Sequence, residues 1–406
     1  MNRGVIFDFD GVIVDSVESL FRVYYEVVEE LGGVGEIDIS HLNGLTITQI
    51  CQYIIDHYNI PSTLNKILEL YYSKLDKVYE SSKGIISTSD LITCFGNNNI
   101  PMSIASGCPE VFIRSVLHRL SLFEYFSQIV GGDSISCGKP DPEVFAKCLQ
   151  KSQFDSAMVI DDSNSGVLAA LRSGCTVVKF DDCIKYHPKL NELMSYQFEN
   201  YLSYLGTFQN FDVRAKEKLY QTNKKEDKVW AELEKEGSYN APILIFDIDK
   251  TVVLSILEAF LIDYKYYRVK NEAHMALAVT GVVRNSEQDI LVGKRAGNSF
   301  QYPGKTDLVP AGSLESTDYI AQLDSEWHEE TNCENKVKWN PDIMLVVNHT
   351  KNVLDIVVNG YIDSLSAKYY YSPEFQDFQW INIDEYSIDL TTPSSYSIMK
   401  YMLPRV

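Results

Sequence analysis

The sequence predicts an α/β fold, a parallel sheet covered by helices on both faces, followed by a separate α+β domain. Three observations carry this. Five short runs, Val5-Ile6-Phe7, Met102-Ser103-Ile104-Ala105, Gln128-Ile129-Val130, Ala157-Met158-Val159-Ile160 and Thr176-Val177-Val178, alternate with helical patterns between Arg3 and about Phe180. Strands apolar on both faces belong in a parallel sheet with both faces covered. Residues near 16–85 break that rhythm with several helices, interrupted at Gly32-Gly33 and Pro61, so a helical insertion follows the first strand. From Ile243 the pattern turns strand-rich, with candidates over 276–283, 290–292, 343–347 and 356–358 and a helix over Thr317–Glu330.

The predicted boundaries are 1–182 for the first domain, with the insertion at 16–85, and 241–406 for the second. Between them, 183–240 reads as a helical linker. It is rich in Tyr, Asn, Lys and Glu, and Arg214 to Glu236 carries strong helix formers with interleaved charges. A chain of 406 residues is long enough for two or three domains, each with its own core. Hydrophobic content of 45% and charged content of 23% are ordinary for globular proteins.

The net charge of −20, from 36 basic and 56 acidic residues, argues against nucleic acid or an acidic membrane as partner and favours a divalent cation. No apolar run reaches the roughly 18 residues of a membrane span. The opening residues lead into a strand with acidic positions, unlike a signal peptide, so a cytoplasmic protein is expected. The eight cysteines form no C-x-x-C pair and read as free thiols, several of them in apolar runs.

Four segments carry chemistry in the first domain. The strand Val5-Ile6-Phe7 runs into Asp8-Phe9-Asp10-Gly11, and ligands of open α/β sheets sit beyond strand carboxyl ends. Gly11 permits the turn that brings Asp10 back beside Asp8. A second strand ends in Ser106-Gly107, a hydroxyl and a flexible backbone suited to a phosphate oxygen. Gly138-Lys139-Pro140-Asp141-Pro142 sets a lysine in a rigid turn before a helix near Glu143. A fourth strand ends in Asp161-Asp162-Ser163, with Gly166 at a helix start. Any one of these could be an ordinary polar turn, and Lys139 alone could be a surface lysine.

In this order, the four segments resemble the haloacid dehalogenase-like superfamily over residues 3–180. The resemblance implies a Rossmann-like parallel sheet with a helical cap, and His41-Leu42-Asn43-Gly44-Leu45-Thr46 looks like the cap loop that selects substrate. It implies Asp8 as nucleophile, Asp10 as general acid and base, and Lys139 and Ser106 as neutralisers of the transferring phosphoryl group. Gly44, Ser106 and Gly107 would contact substrate. Mg²⁺ would be held by Asp8, the Asp10 carbonyl and Asp162, with Asp161 beside it; the family often has Glu or Gly at the Asp161 position. The implied activity is phosphate release from a small phosphorylated metabolite such as a sugar phosphate, with a sugar phosphomutase as the alternative.

In the second domain, Pro310-Ala311-Gly312-Ser313-Leu314-Glu315 precedes Asp318 and Ser325-Glu326-Trp327-His328-Glu329-Glu330-Thr331-Asn332. Glu326, Glu329 and Glu330 share one helix face, either a solvated acidic face or a cation site. The segment resembles the Nudix hydrolase box, and the similarity extends over 273–390, through Leu291-Val292-Gly293-Lys294-Arg295 and Phe378-Gln379-Trp380-Ile381-Asn382-Ile383-Asp384-Glu385. Departures are Ser325 for the box arginine, Asp318 for its upstream glutamate, an interval one residue short, and Asn332 for its glycine. The resemblance implies metal-assisted cleavage of a nucleoside diphosphate derivative, making the chain bifunctional, or a nucleotide-binding, regulatory domain without turnover. Diphosphate cleavage would leave a phosphate monoester, the kind of group the first domain would remove. Ile243-Leu244-Ile245-Phe246-Asp247-Ile248-Asp249-Lys250-Thr251 also fits the aspartate-nucleophile pattern, but no lysine loop or acidic pair follows it, so it reads as a structural strand or a relic.

Overall fold

A computed structural model describes residues 2–33, 42, 44–216, 242–248, 251, 254–263, 274–297, 302–363, 374–383 and 391–401. They fall into two compact units, Met1–Ser195 and Tyr196–Val406.

The first unit contains β1 (Arg3–Phe7), β2 (Val14–Asp15), β3 (Lys83–Gly84), β4 (Met102–Ala105), β5 (Phe126–Val130), β6 (Ser156–Asp161) and β7 (Thr176–Lys179). Its main sheet has the order β5-β4-β1-β6-β7, parallel at every pairing. Strand β1 is central, with Phe7 opposite both Ile104 and Ile160. Val5, Ile6 and Phe7 are fully buried, and side chains of this kind contribute about 1.5–3 kcal/mol each by leaving water. Because the strands are parallel, the residues that follow β1, β4 and β6 emerge on one edge of the sheet.

Between β2 and β3 the chain makes three helices, α1 (Val17–Glu30), α2 (Ile47–Tyr58) and α3 (Leu64–Ser81). The two short strands pair antiparallel, Val14 with Gly84, so the chain leaves and re-enters the core through a two-stranded neck. Val27, Cys51, Ile54, Ile67 and Leu75 form the buried interior of this cap. Helix α2 begins with a capping box: the Thr46 hydroxyl accepts from Gln49 N, and Gln49 Oε1 accepts from Thr46 N. It ends at Asn59 in the left-handed region (φ 51°), as Asn tolerates. Helices α4 (Ile86–Asn97), α5 (Glu110–Arg119), α6 (Glu143–Ser152) and α7 (Asn164–Arg172) alternate with the remaining strands; α6 packs on β4 and β5, and α7 on β6 and β7.

The linker expectation over 183–240 needs correction. After α8 (Asp182–Lys185) and α9 (Leu190–Asn200) come two strands, β8 (Leu202–Phe208) and β9 (Asp212–Lys216). Strand β8 buries Leu202, Tyr204 and Leu205 and pairs antiparallel with the strand at Lys338–Asn348, more than a hundred residues away. That distant pairing overrides the polar local composition. Residues 217–240 of the expected linker lie outside the described residues.

The second unit continues with β10 (Pro242–Phe246), β11 (Ile256–Asp263), β12 (Met275–Arg284), β13 (Ile290–Arg295), β14 (Thr306–Leu308), β15 (Ala311–Ser313), β16 (Lys338–Asn348), β17 (Val353–Tyr361) and β18 (Phe375–Ile381). Its mixed sheet runs β8-β16-β17-β12-β10-β11-β9; β13 and β15 also pair with β12, and β14 and β18 with β13. Helix α10 (Tyr319–Thr331) packs on β12 and β15, and a final helix, α11 (Pro393–Tyr401), closes the described chain. Trp327 of α10 sits with Val283, Leu291, Val309 and Phe375 in one core cluster. Its indole N–H donates to the Asn335 carbonyl at 2.9 Å, so no polar atom is stranded by its burial. All eight cysteines are free; five are buried, Cys94 and Cys183 are half-buried, and Cys137 is exposed.

Candidate active site

The site is built where β1, β4 and β6 end. Asp8 N donates to the Ile160 carbonyl, which continues the β1–β6 pairing to the last residue before the turn. Phe9 O then accepts from Ile13 N and Val14 N, and Gly11 N donates to Val14 O. Gly11 has φ +75°, and a Cβ there would lie 2.1 Å from Asp162 Oδ2, so the turn requires glycine twice over. Ser106 follows β4, is buried, and accepts from Cys108 N at 3.2 Å. Its hydroxyl proton remains free to donate.

Lys139 is almost fully buried and touches two carboxylates: Nζ lies 3.0 Å from Asp8 Oδ1 and 2.6 Å from Asp161 Oδ2. Burial works against its charge, but Asp161 and then Asp8 outweigh that and hold the ammonium above its ordinary range. Asp161 has no exposed surface and also accepts from Ser163 N (2.9 Å) and Ser163 Oγ (2.8 Å). A Cβ on Gly166 would fall 2.0 Å from the Asp161 carboxylate, so this glycine lets α7 start against it. Asp161 therefore anchors Lys139 and the loop that presents Asp162.

Burial pushes the Asp8 carboxyl up to about 7; Lys139 pulls it back, while Asp161 and Asp10 raise it further. Burial likewise raises Asp10 to about 6, against hydrogen bonds from Ser16 and Tyr79. Asp162 stands well above its usual range through burial and the Asp161 and Asp8 charges. Such crowding calls for a cation. Asp8, Asp161 and Asp162 offer oxygens within 4.8 Å of one another, and buried Asp8 Oδ1 faces the Lys139 ammonium. An all-carboxylate donor set of this kind suits a hard divalent ion. The Asp10 carboxylate is engaged elsewhere: Ser16 Oγ donates to Oδ1 at 2.5 Å, and Tyr79 OH reaches the two oxygens at 3.1 and 3.2 Å.

The cap closes over these groups. Gly44, at φ +91°, lies against Lys139, and a Cβ there would meet Lys139 Cβ at 2.6 Å. Gly107 lies under the Leu45 carbonyl, and Gly138 N donates to Gln49 Oε1 at 3.0 Å, so the α2 capping box also fastens cap to core. One pocket contains Asp8, Asp10, Ser106, Gly107, Lys139 and Asp162 together with Gly44 and Leu45. His41 and Asn43 of the predicted cap loop lie outside the described residues.

Sequence reading missed Ser16 and Tyr79. Ser16 could have been found as a hydroxyl six residues beyond Asp10. Tyr79 had no local signal, being 69 residues away on α3. It donates to the Asp10 carboxylate from the wall of the same pocket, so its place is to hold that carboxyl in position. Tyr79→Phe is expected to lower kcat/KM for alkyl phosphates about 10-fold, with little change in kcat/KM for p-nitrophenyl phosphate, whose leaving group needs no proton. Removing that donor also raises the Asp10 pKa, so the pH–rate limb set by Asp10 should move to higher pH. Equal losses on both esters with an unmoved limb would reduce Tyr79 to packing.

The predicted residues of the second unit are placed differently. Glu326 Oε1 accepts from Gln322 Nε2 (2.9 Å), exposed Glu329 from Ser325 Oγ (3.0 Å), and Glu330 Oε2 from Ala311 N (3.2 Å). Glu326 packs over Gly312 of β15, and Glu330 is buried and well above its usual range, chiefly through burial and then Glu326. Among the described residues, Asp8, Asp161 and Asp162 are the group whose oxygens converge at metal-ligand spacing; the three glutamates do not. Asp318 caps α10, accepting from Ala321 N. Strand β10, preceding Asp247, runs antiparallel to both neighbours, unlike β1, and Asp247 sits 3.9 Å from His274 Nε2. Asp249, Asp384 and Glu385 lie outside the described residues.

The haloacid dehalogenase-like hydrolase family model matches residues 5–180, which fall within the first unit. A phosphorylated carbohydrates phosphatase of Thermotoga maritima is 28% identical over 176 residues, 42% of this chain and 82% of that protein. A phosphoglycolate phosphatase of Photobacterium profundum is 27% identical over 186 residues, 43% of this chain and 81% of that protein. A crystal structure of β-phosphoglucomutase from Clostridium difficile aligns with TM-score 0.42 at 19% identity, covering 50% of this chain and 99% of that one. Residues 5–180 thus form a haloacid dehalogenase-like hydrolase domain. No described helix is long and apolar enough to cross a membrane.

Proposed function

We propose that this domain removes phosphate from a small phosphate monoester through a covalent aspartyl phosphate on Asp8, with Mg²⁺ as cofactor. The observation that carries the reading is the contact of Lys139 with both Asp8 and Asp161 at the edge where Ser106 and Asp162 also emerge. Asp8, Asp162 and the Asp10 carbonyl would hold the ion, with Asp161 beside it; when bound, it would supply positive charge to the transferring phosphoryl oxygens. An Asp8 oxygen attacks phosphorus and the P–O ester bond breaks. Asp10 gives its proton to the leaving oxygen. Water then attacks the phosphorus of the aspartyl phosphate, Asp10 takes its proton, and inorganic phosphate leaves with Asp8 restored. Lys139 and the Ser106 hydroxyl stabilise charge on the phosphoryl oxygens in both steps. The relatives' names point to phosphorylated small metabolites, sugar phosphates among them, as substrates.

For the second unit we propose a Nudix-like domain that acts on, or senses, a nucleoside diphosphate derivative. Support comes from a loop, helix α10 and a second loop, with Glu326 and Glu330 turned toward β15. Against turnover stand Ser325 and the unconverged glutamates. Cleavage there would produce a monoester for the first site. One panel tests both units: phosphate monoesters and nucleoside diphosphate derivatives, with Mg²⁺ or chelator, read as phosphate and mononucleotide release. Mg²⁺-dependent phosphate release from monoesters is expected; none from any monoester would overturn the phosphatase. Mononucleotide release decides between a catalytic and a sensing second unit.

The buried carboxylates set a sign for stability. Asp8 and Asp10 bind protons more tightly folded than unfolded, so their contribution is present at low pH and is lost as pH rises through about 6–7. The metal-free protein should therefore melt lower at about pH 8 than at about pH 6, and MgCl₂ should raise the melting temperature more at the higher pH. Equal MgCl₂ effects at both would count against a cation at these carboxylates.

A further inference from the structure

The pocket has two chemically different ends. One is the Asp8, Lys139 and Ser106 end. The other is formed by the cap: Leu20, Phe21 and Tyr24 from one face of α1, Ile47 and Ile50 from α2, and Tyr71 from α3. Leu20, Phe21 and Tyr24 follow helical spacing, so α1 presents one apolar stripe to the cavity. Leu20 and Phe21 are only half-buried, which marks them as cavity wall and not cap interior. The polar atoms on this wall's side chains are the phenolic hydroxyls of Tyr24 and Tyr71, and Tyr24 OH already faces Tyr58 OH at 3.5 Å.

Lys139 is the sole Lys or Arg among the residues lining the pocket, and both its ion-pair partners are at the catalytic end. The cap's described cations face away: Arg22 pairs with Glu18 on the exposed side of α1, and Lys74 pairs with Glu26 and Glu30. Residues 34–43 contain neither lysine nor arginine in their sequence. A second phosphate carried into this end would lose its water and meet no lysine or arginine among the described residues. Several sugar hydroxyls would likewise be desolvated against Leu, Ile and Phe side chains with few partners.

Resting on the phosphatase reading above, we propose that the substrate is a monophosphate whose body is compact and hydrophobic, aromatic or cyclic aliphatic. The same wall excludes a sugar bisphosphate and with it the phosphomutase alternative, because a mutase must hold a second phosphate.

The test uses the full chain with Mg²⁺ and three compounds: cyclohexylmethyl phosphate and glucose 6-phosphate, both esters of primary alcohols, and glucose 1,6-bisphosphate, which adds an anomeric phosphate. The first two share a six-membered ring and a primary alkoxide leaving group and differ in hydroxyls, so their kcat/KM ratio reports the wall. Acetyl phosphate, which has almost no body, reports the chemistry alone. The expected result is a preference of about 100-fold for cyclohexylmethyl phosphate over glucose 6-phosphate, no turnover of the bisphosphate, and no stimulation by it. Phe21→Asn and Leu20→Asn should each narrow the ratio, mainly through a higher KM for the cyclohexyl ester. Equal or better use of glucose 6-phosphate while acetyl phosphate is hydrolysed would overturn the hydrophobic body and leave the phosphatase standing. Bisphosphate-dependent interconversion of sugar phosphates would restore the mutase. No hydrolysis of acetyl phosphate would remove the phosphatase reading and this inference with it.

Discussion

Asp8→Asn is expected to abolish phosphate release, with kcat falling by at least about 10⁴-fold, while the domain stays folded. The amide has nearly the shape of the carboxylate but lacks a nucleophilic anionic oxygen. Burial disfavours the Asp8 charge, and Lys139 keeps Asp161 as partner, so losing the charge should not lower the melting temperature. That separation matters, because a variant that is inactive and also unfolded would say nothing of the nucleophile. Steady-state phosphate release and a thermal melt check the two halves. Rapid acid quench with a ³²P-labelled ester should trap label on the normal protein and none on the variant. Turnover within tenfold of normal would falsify the covalent route.

Lys139→Met is expected to damage stability as well as activity. The methionine roughly fills the lysine stem's space but leaves Asp8 and fully buried Asp161 without their shared counter-charge. Breaking a buried pair from one side costs about 3–5 kcal/mol. The loss should shrink at low pH, where the Asp8 carboxyl, raised by burial, takes a proton. Loss of the charge facing the phosphoryl oxygens should lower kcat by about 10²–10³-fold. Adding Asp161→Asn should recover part of the stability and none of the turnover, since the catalytic charge is still missing. Urea unfolding at two pH values and phosphate release provide the readings. A single variant within about 1 kcal/mol of the normal protein would mean the pair is not the internal anchor described here.

The parallel sheet of the first unit was legible because each of its strands is apolar on both faces, a pattern few other folds allow. The convergence of the residues that follow those strands was legible for the same reason. A parallel sheet delivers every strand's carboxyl end to one edge, so Asp8, Ser106 and Asp161 had to meet once their strands were recognised. The linker was not legible. Strand β8 is defined by its pairing with β16, and no local spacing in Leu202–Phe208 announces a partner that far along the chain.

The sequence by itself singled out Asp8, Lys139, the Asp161–Asp162 pair and the glycines beside them, because these are marked by residue type and by position at strand ends. Only the tertiary structure decided their division of labour. It made Asp161 the anchor of Lys139, gave Asp10 to Ser16 and Tyr79, and turned the α1 stripe into the pocket that holds Asp8 and Asp10. It also kept Glu326, Glu329 and Glu330 apart in their contacts, although helical spacing alone had grouped them. Short-range geometry fixes which residues share a strand end or a helix face. Which of them face each other across a cavity depends on elements dozens of residues apart, and is set by how the cap packs on the sheet.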